Sequence, residues 1–273
     1  MNKIDQFSAQ SDVEKMAETV KEVISIAKLH DVDLFLMFGA LLGMIRENRL
    51  LPWNNDTELG CMYSSDIFLK FKLIVDDMNK LGYAAYFYSS NGSIAIRCEN
   101  VIVNVNCFWL DDDHVVRPHE TGAQAGYAPF LSRCAYWFGT LLAAYPSGLI
   151  KYRHQKLTAT IMLKSCLVTL FRLIPNFLRK KLFLSMITFS EYLGADFQKT
   201  AYPSKYFTAF HHIAFYDSEV LVPQSPQELI ECIYGVGWNI PQENWSFYNK
   251  KNKDKTGVIF IKEKWNYKKV EMP

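Results

Sequence analysis

The sequence predicts an α/β fold of the α+β kind, a mixed sheet flanked by helices and interrupted by a helical insert. Three observations predict it. A strand-like run, DLFLMFG (33–39), passes through a small-residue turn into a short helix and returns as a second strand carrying two acids. Three more strand-like runs follow, separated by turn residues, in the pattern of a meander. Residues 141–193 then hold no convincing strand but a basic, apolar pattern at helical spacing. The expected boundaries are a core over 1–125, a helical insert over 126–195, and a segment over 196–273 that completes the same domain as the core.

The elements follow in order. Ser11 and Glu14 read as a capping box, and Val13, Met16, Val20, Val23, Ile24 and Ile26 recur at helical spacing up to about His30. Strand 33–39 leads into a helix ending near Glu47, and strand 56–62 carries the acids. A helix over about 65–81 is stopped by Gly82 in the role of the residue after the cap. YAAYFYS, SIAIRCE and VIVNVNCFWL are the strands of the meander, punctuated by Asn91-Gly92 and Glu99-Asn100. In the insert, Leu157–Leu173 is broken by Lys164 and Arg172, too short and too charged to span a bilayer. After Pro175, NFLRKKLFLSMI begins a second helix. The cations of this hairpin (Lys151, Arg153 and Lys156, then Arg172, Arg179, Lys180 and Lys181) fit either a membrane-surface element or an ordinary packed hairpin with its charges in water.

Composition sets limits. With 273 residues, 49% of them hydrophobic and 21% charged, the chain can fill a core and is not globally disordered. A net charge of +2 without a basic, aromatic-interleaved run argues against nucleic acid as a partner. The six cysteines (61, 98, 107, 134, 166 and 232) show no metal-binding spacing and read as small core residues of a reducing compartment. The first 20 residues hold no apolar signal region, so the expected location is cytoplasmic, with association to the inner face of the cell membrane left open.

The chemistry concentrates in GALLGMIRENRLLPWNNDTE (39–58). Asp56 and Glu58 are i and i+2 on a strand and project to one side, with Thr57 turned away. Two carboxylates so close repel unless a cation lies between them, and a hard divalent ion with bound phosphate suits them. A solvated edge strand is the plainer alternative. Gly39, Gly43 and the start of the next helix could offer N–H groups to a phosphate, or merely punctuate a turn. Arg46 could clamp a phosphate or sit on the surface as a helix cation. Asp111–Asp113 reads mainly as a solvated turn. His211 and His212, adjacent on a strand, face opposite ways and form no single site.

This stretch resembles the signature of the LicD/fukutin family of phosphotransferases, members of the nucleotidyltransferase superfamily. Gly39, Ala40, Leu41, Leu42 and Gly43 match its Gly-Thr/Ser-Leu-Leu-Gly block; Arg46 stands at its arginine, Pro52 and Trp53 at its Pro-Trp, Asp56 and Glu58 at its last two acids. VNCFWLD (105–111), YPSKYF (202–207), VLVP (220–223) and IYGVGWNIP (233–241) echo its later blocks in order. The resemblance implies a nucleotidyltransferase-like fold and Mg²⁺ (or Mn²⁺) held by Asp56, Glu58 and Asn106. It implies a donor phosphate bound by Gly39, Ala40, Gly43, Trp53 and Asn55, with Arg46 stabilising charge. The donor would be a CDP-activated alcohol or another nucleotide, and the acceptor a sugar hydroxyl of a surface glycan, free or lipid-linked. Fukutin-like relatives that face a secretory lumen carry an amino-terminal anchor, which is not evident here. Four positions depart from the pattern: Asn54 and Asn55 replace two acids, Asn106 replaces a third, and Glu47 replaces a histidine. Fewer acids leave the general base unassigned, with Glu47, Glu99 and Asp111 as candidates. A nucleotide-sugar glycosyltransferase and a catalytically weak binding subunit of a polysaccharide assembly complex are the alternatives.

Overall fold

The computed structural model describes residues 3–54, 56–88, 92–121, 129–145, 159–195, 197–242 and 256–262. In chain order they form α1 (Lys3–Leu29), β1 (Phe35–Leu36), α2 (Phe38–Glu47), β2 (Asp56–Met62), α3 (Ile67–Lys80) and β3 (Ala84–Tyr88). Next come β4 (Ser93–Cys98), β5 (Val101–Asp111), β6 (His114–Thr121), α4 (Phe130–Leu142), β7 (Ala144–Tyr145), α5 (Ala159–Arg172) and α6 (Asn176–Tyr192). The chain closes with β8 (Phe197–Pro203), a 3-10 turn (Ser204–Phe207), β9 (Phe210–Phe215), β10 (Ser218–Pro223), α7 (Pro226–Tyr234) and β11 (Ile259–Lys262). The fold is mixed α/β, as expected.

The contacts divide the chain into a core unit (Met1–Tyr63, Asn100–Arg117, Thr200–Phe260) and a helical unit (Ser64–Glu99, Pro118–Lys199, Ile261–Pro273). This division cuts the chain differently from the expected segments: α3, β3 and β4 group with the helices rather than with the first strands.

In the core unit the sheet order is β6-β5-β2-β1-β10-β9. β2 runs parallel to β5 and β1 parallel to β10, while β1–β2, β5–β6 and β9–β10 are antiparallel. α1 packs on β5 and buries Met16, Ala17, Val20, Val23 and Ala27, one stripe at helical spacing. It starts earlier than the Ser11 capping box predicts, because nothing between Lys3 and Ser11 breaks a helix. Phe35 anchors the other face against Phe108, Phe207 and Phe210, with ring centroids 4.7–6.0 Å apart. Cys61 and Cys107 face each other across the β2–β5 pairing, both buried. Burial, then the Cys61 thiol beside it, pushes the Cys107 thiol up. The described cysteines are all free thiols, and Cys134 and Cys166 are exposed rather than in a core.

In the helical unit, α3 covers the antiparallel β4-β3-β7 ribbon. Gly82 ends α3 as expected, at φ 96°, and the Gly82 and Tyr83 N–H groups donate to Asn79 and Met78. The two-residue strand β7 was not predicted. α4 packs on α6 and α5 around Tyr136, Leu142, Phe183 and Ile187. Arg179 corrects the sequence reading: it is 1% exposed, bonded to Asn176 Oδ1 at 2.7 Å, and not part of the solvent-facing cation set. Burial, then repulsion from Arg172, holds its pKa below the ordinary value. Lys151, Arg153 and Lys156 lie outside the described residues.

Candidate active site

β1 is shorter than the predicted strand 33–39, because the chain turns at Met37–Phe38 and α2 has begun by Gly39. Phe38 makes the turn at φ 48°, a conformation that costs a bulky residue on the order of 1 kcal/mol. Packing holds it there. Its ring lies beside Phe108 and Tyr202 and beneath the Arg117 guanidinium, 5.4 Å away. Met37 N–H donates to Glu58 O at 3.0 Å, tying the start of α2 to the acid-bearing strand.

A cavity of about 740 Å³ opens here, within the usual range for small-molecule sites. Asp56 and Glu58 reach it from β2, Gly39 and Arg46 from α2, and Trp53 and Asn54 from the return loop. Tyr234, Trp238, Ile240, Pro241 and Gln242 form the opposite wall. α7 delivers them: Pro226 at its first turn and buried Leu229, Ile230 and Ile233 seat the helix, and Gly235 at φ 82° ends it. The sequence match had quoted this Tyr-Gly-x-x-Trp block without giving it a role; the fold makes it half of the cavity.

The two acids differ. Burial pushes the Asp56 carboxyl above its ordinary value, against a smaller effect of its own backbone N–H. Glu58 has the Arg117 Nη1 at 3.6 Å. Thr57, as expected, is turned the other way and buried. Hard divalent cations prefer carboxylate oxygens, and Asp56 turns one into the cavity with no ion-pair partner among the described residues. The pair therefore fits such an ion. Among the described residues no group of three or more His, Cys, Asp or Glu is placed to hold a metal, so ligand oxygens and water would complete its shell.

Asn54 acquires a function that the expected aspartate could not perform. Its Nδ2 donates to Asp56 O at 2.8 Å, and a Cβ on Gly39 would lie 2.7 Å from that nitrogen. Gly39 thus leaves room for the amide that fixes the backbone of Asp56. Gly43 faces elsewhere: a Cβ there would meet the Arg49 carbonyl at 2.6 Å. Ala40 is buried within α2, Trp53 stands exposed at the rim, and Asn55 lies outside the described residues.

Asn106 lies on the same face of the sheet as the acids but is not among the residues that line the cavity. The register sets Glu58 beside Asn104 and Asn106 beside Gly60, and Asn106 is 3% exposed. Its Nδ2 finds no hydrogen-bond partner among the described residues.

Arg46 donates from Nη2 and Nε to Glu47 Oε1 at 2.7 and 3.2 Å, and from Nη1 to Trp238 O at 3.3 Å. Arg49 donates to the other Glu47 oxygen at 3.0 and 3.2 Å. Burial raises the Glu47 pKa, but the bonds from Arg46 and Arg49 and their charges outweigh it and hold it below its ordinary value. Glu47 is therefore a poor base. Glu99 and Asp111, the other candidates, are exposed at strand ends and do not line the cavity. Burial, then the Glu58 and Asp56 carboxylates against the opposing Arg46, pushes the Tyr234 phenol far above its usual range, so it stays protonated.

Residues 31–93 match the family model described as LicD/FKTN/FKRP, nucleotidyltransferase domain. A search of curated proteins found no match. Among solved structures, the chain is similar to the solution structure of the antibiotic-resistance factor ANT(2'')-Ia, at 9% identity and TM-score 0.31. That comparison covers 66% of this chain and 96% of the other. It is also similar to the crystal structure of ANT(2'')-Ia in complex with adenylyl-2''-tobramycin, at 10% identity and TM-score 0.29, over 65% and 99%. The family match concerns residues 31–93 alone.

Proposed function

We propose that this chain, whose residues 31–93 match the LicD family model, is a phosphotransferase acting on a CDP-activated alcohol. It moves the phosphorylated alcohol, phosphocholine or a polyol phosphate, to a sugar hydroxyl of a cell-surface glycan. The observation that carries this reading is the convergence of Asp56, Glu58, Arg46 and Gly39 on one cavity.

In the reaction, the acceptor hydroxyl oxygen forms a bond to the phosphorus that bears the alcohol. The bond from that phosphorus to the bridging oxygen breaks, CMP leaves with the electron pair, and the hydroxyl proton passes to solvent. Asp56 and Glu58 would hold Mg²⁺ or Mn²⁺, which would supply positive charge to stabilise the donor phosphates. The protein's own part is positioning and electrostatics. Arg46 turns Nη1 from the Trp238 carbonyl to a phosphoryl oxygen, with Glu47 holding the rest of its guanidinium in place. Arg117 orients Glu58, and Asn54 fixes the backbone of Asp56. Trp53 and Trp238 give the remainder of the donor an aromatic wall to pack on.

One observation favours a second reading, a binding subunit with weak catalysis: Asn106, where a third acid is expected, is neutral and buried. Metal-dependent release of CMP from CDP-alcohols, lost in Asp56→Asn, tests the first reading. Release of a nucleoside diphosphate from a nucleotide sugar instead would make the protein a glycosyltransferase. Calorimetric binding of either donor without turnover would make it the binding subunit.

A further inference from the structure

Over residues 130–139 α4 turns most of its large apolar side chains outward, before Leu141 and Leu142 bury its end. Its buried face carries Ser132, Ala135 and Gly139 beside Tyr136, while Phe130, Leu131, Cys134, Trp137 and Phe138 point outward. These outward positions recur at i, i+1, i+4, i+7 and i+8, a single apolar stripe. The helix cannot rotate to hide it. Ser132 Oγ donates to Ser190 O at 2.8 Å and Ser190 Oγ to Ser132 O at 2.9 Å, and a Cβ on Gly139 would lie 3.3 Å from Ile187. Phe130 is 70% exposed. The stripe continues onto α5 through the Phe138–Phe171 ring contact at 4.9 Å, and the α5–α6 turn leaves Leu173 79% and Phe177 69% exposed.

Charge says what such a patch would meet. Among the described side chains of α4, α5 and α6, the exposed charged ones are all basic. Arg133, Lys180 and Lys181 are exposed. Among the described residues no helix is long and apolar enough to cross a membrane. Large apolar side chains turned outward, small ones inward and a cationic surround suit a helix lying in a membrane interface. We propose that α4 and the α5–α6 turn form a docking face for an anionic lipid surface, with Phe130, Leu131 and Trp137 entering the headgroup layer. This surface is independent of the cavity chemistry.

The experiment sediments the full chain with phosphatidylcholine vesicles, with or without about one third phosphatidylglycerol, at about 0.1 and about 1 M salt. Wild type should pellet with the anionic vesicles and shift its tryptophan emission to the blue. High salt should weaken binding as the Debye length falls from about 10 to about 3 Å. Lys180→Gln with Lys181→Gln should weaken binding about tenfold or more at low salt, since each surface cation contributes about fivefold. Phe130→Ser with Trp137→Ser, both exposed, should abolish pelleting without lowering the thermal midpoint. Wild type left in the supernatant at low salt overturns the proposal. So does a dimer in sedimentation velocity that the serine pair dissolves while vesicles bind neither form, because the face would then join two copies of the chain.

Discussion

In the core unit, charged groups turn inward to a cavity; in the helical unit, large apolar groups turn outward to solvent. Both reverse the usual partition of residues, and they do so by different means. β2 can aim Asp56 and Glu58 into the cavity because alternation places Thr57 and Leu59 in the core. α4 aims Phe130 and Trp137 outward because Ser132, Ala135 and Gly139 let α6 approach closely. In each case the neighbours that fill the conventional role make the exception possible. A local departure from the folding pattern marks where to look for function.

The contrast can be broken most severely at Asp56. Asp56→Asn should cut metal-dependent transfer by about 10³-fold, while the thermal midpoint rises by about 1–2 °C because a desolvated charge is removed. Wild-type turnover in this variant would return β2 to the status of an ordinary strand. Arg46→Lys should cost about 10²-fold in kcat, since an ammonium cannot hold Glu47 and a phosphoryl oxygen together. Unchanged kcat with a raised KM would show that Arg46 serves binding alone.

The register sharpens the metal question by about tenfold. Asn104→Asp, beside Glu58, should tighten Mn²⁺ binding by roughly that factor, about 1.4 kcal/mol. Asn106→Asp, beside Gly60 and buried, should instead destabilise the fold by about 1–3 kcal/mol. Calorimetry and thermal melts on the two variants separate these effects, and the reverse result would relocate the ion.

The smallest expected effect is in pH. Native Asp56 holds its proton more tightly than the unfolded chain does, so its contribution to stability falls as pH rises from the ordinary carboxylate value through its raised one. Mg²⁺ should offset that fall. Melting curves in that window with and without Mg²⁺, for wild type and Asp56→Asn, should show the difference only in wild type.

Where a signal was local, the sequence displayed it. Gly82, the acid pair and the three meander strands are each specified by neighbours within a few residues, while Asn91 of the expected Asn91-Gly92 turn lies outside the described residues. Arg117 was invisible, a lone cation on a strand with no motif around it. Tyr234 and Trp238 reach the acids only through the seating of α7, almost 180 residues after β2. Arg179 was misread because a charged residue in NFLRKKLFLSMI is naturally taken as outward. Yet the spacing 179, 183, 187, 190 is the buried face, and arginine occupies its first position.

The facing thiols of Cys61 and Cys107 sit on the strand pair that carries the site, three residues beyond Glu58 in the case of Cys61. Both are buried, whereas Cys134 and Cys166 are exposed. In a chain whose third buried cysteine is removed by Cys98→Ser, a water-soluble thiol reagent would modify the exposed pair at once, half-buried Cys232 more slowly, and Cys61 and Cys107 only when β2 and β5 part. The slow phase of labelling is a clock for that opening, and its rate reads the local free energy holding the acid-bearing strand in place. Donor and divalent ion, added singly or together, would slow the clock by as much as they stabilise the closed strands, giving an affinity without any turnover.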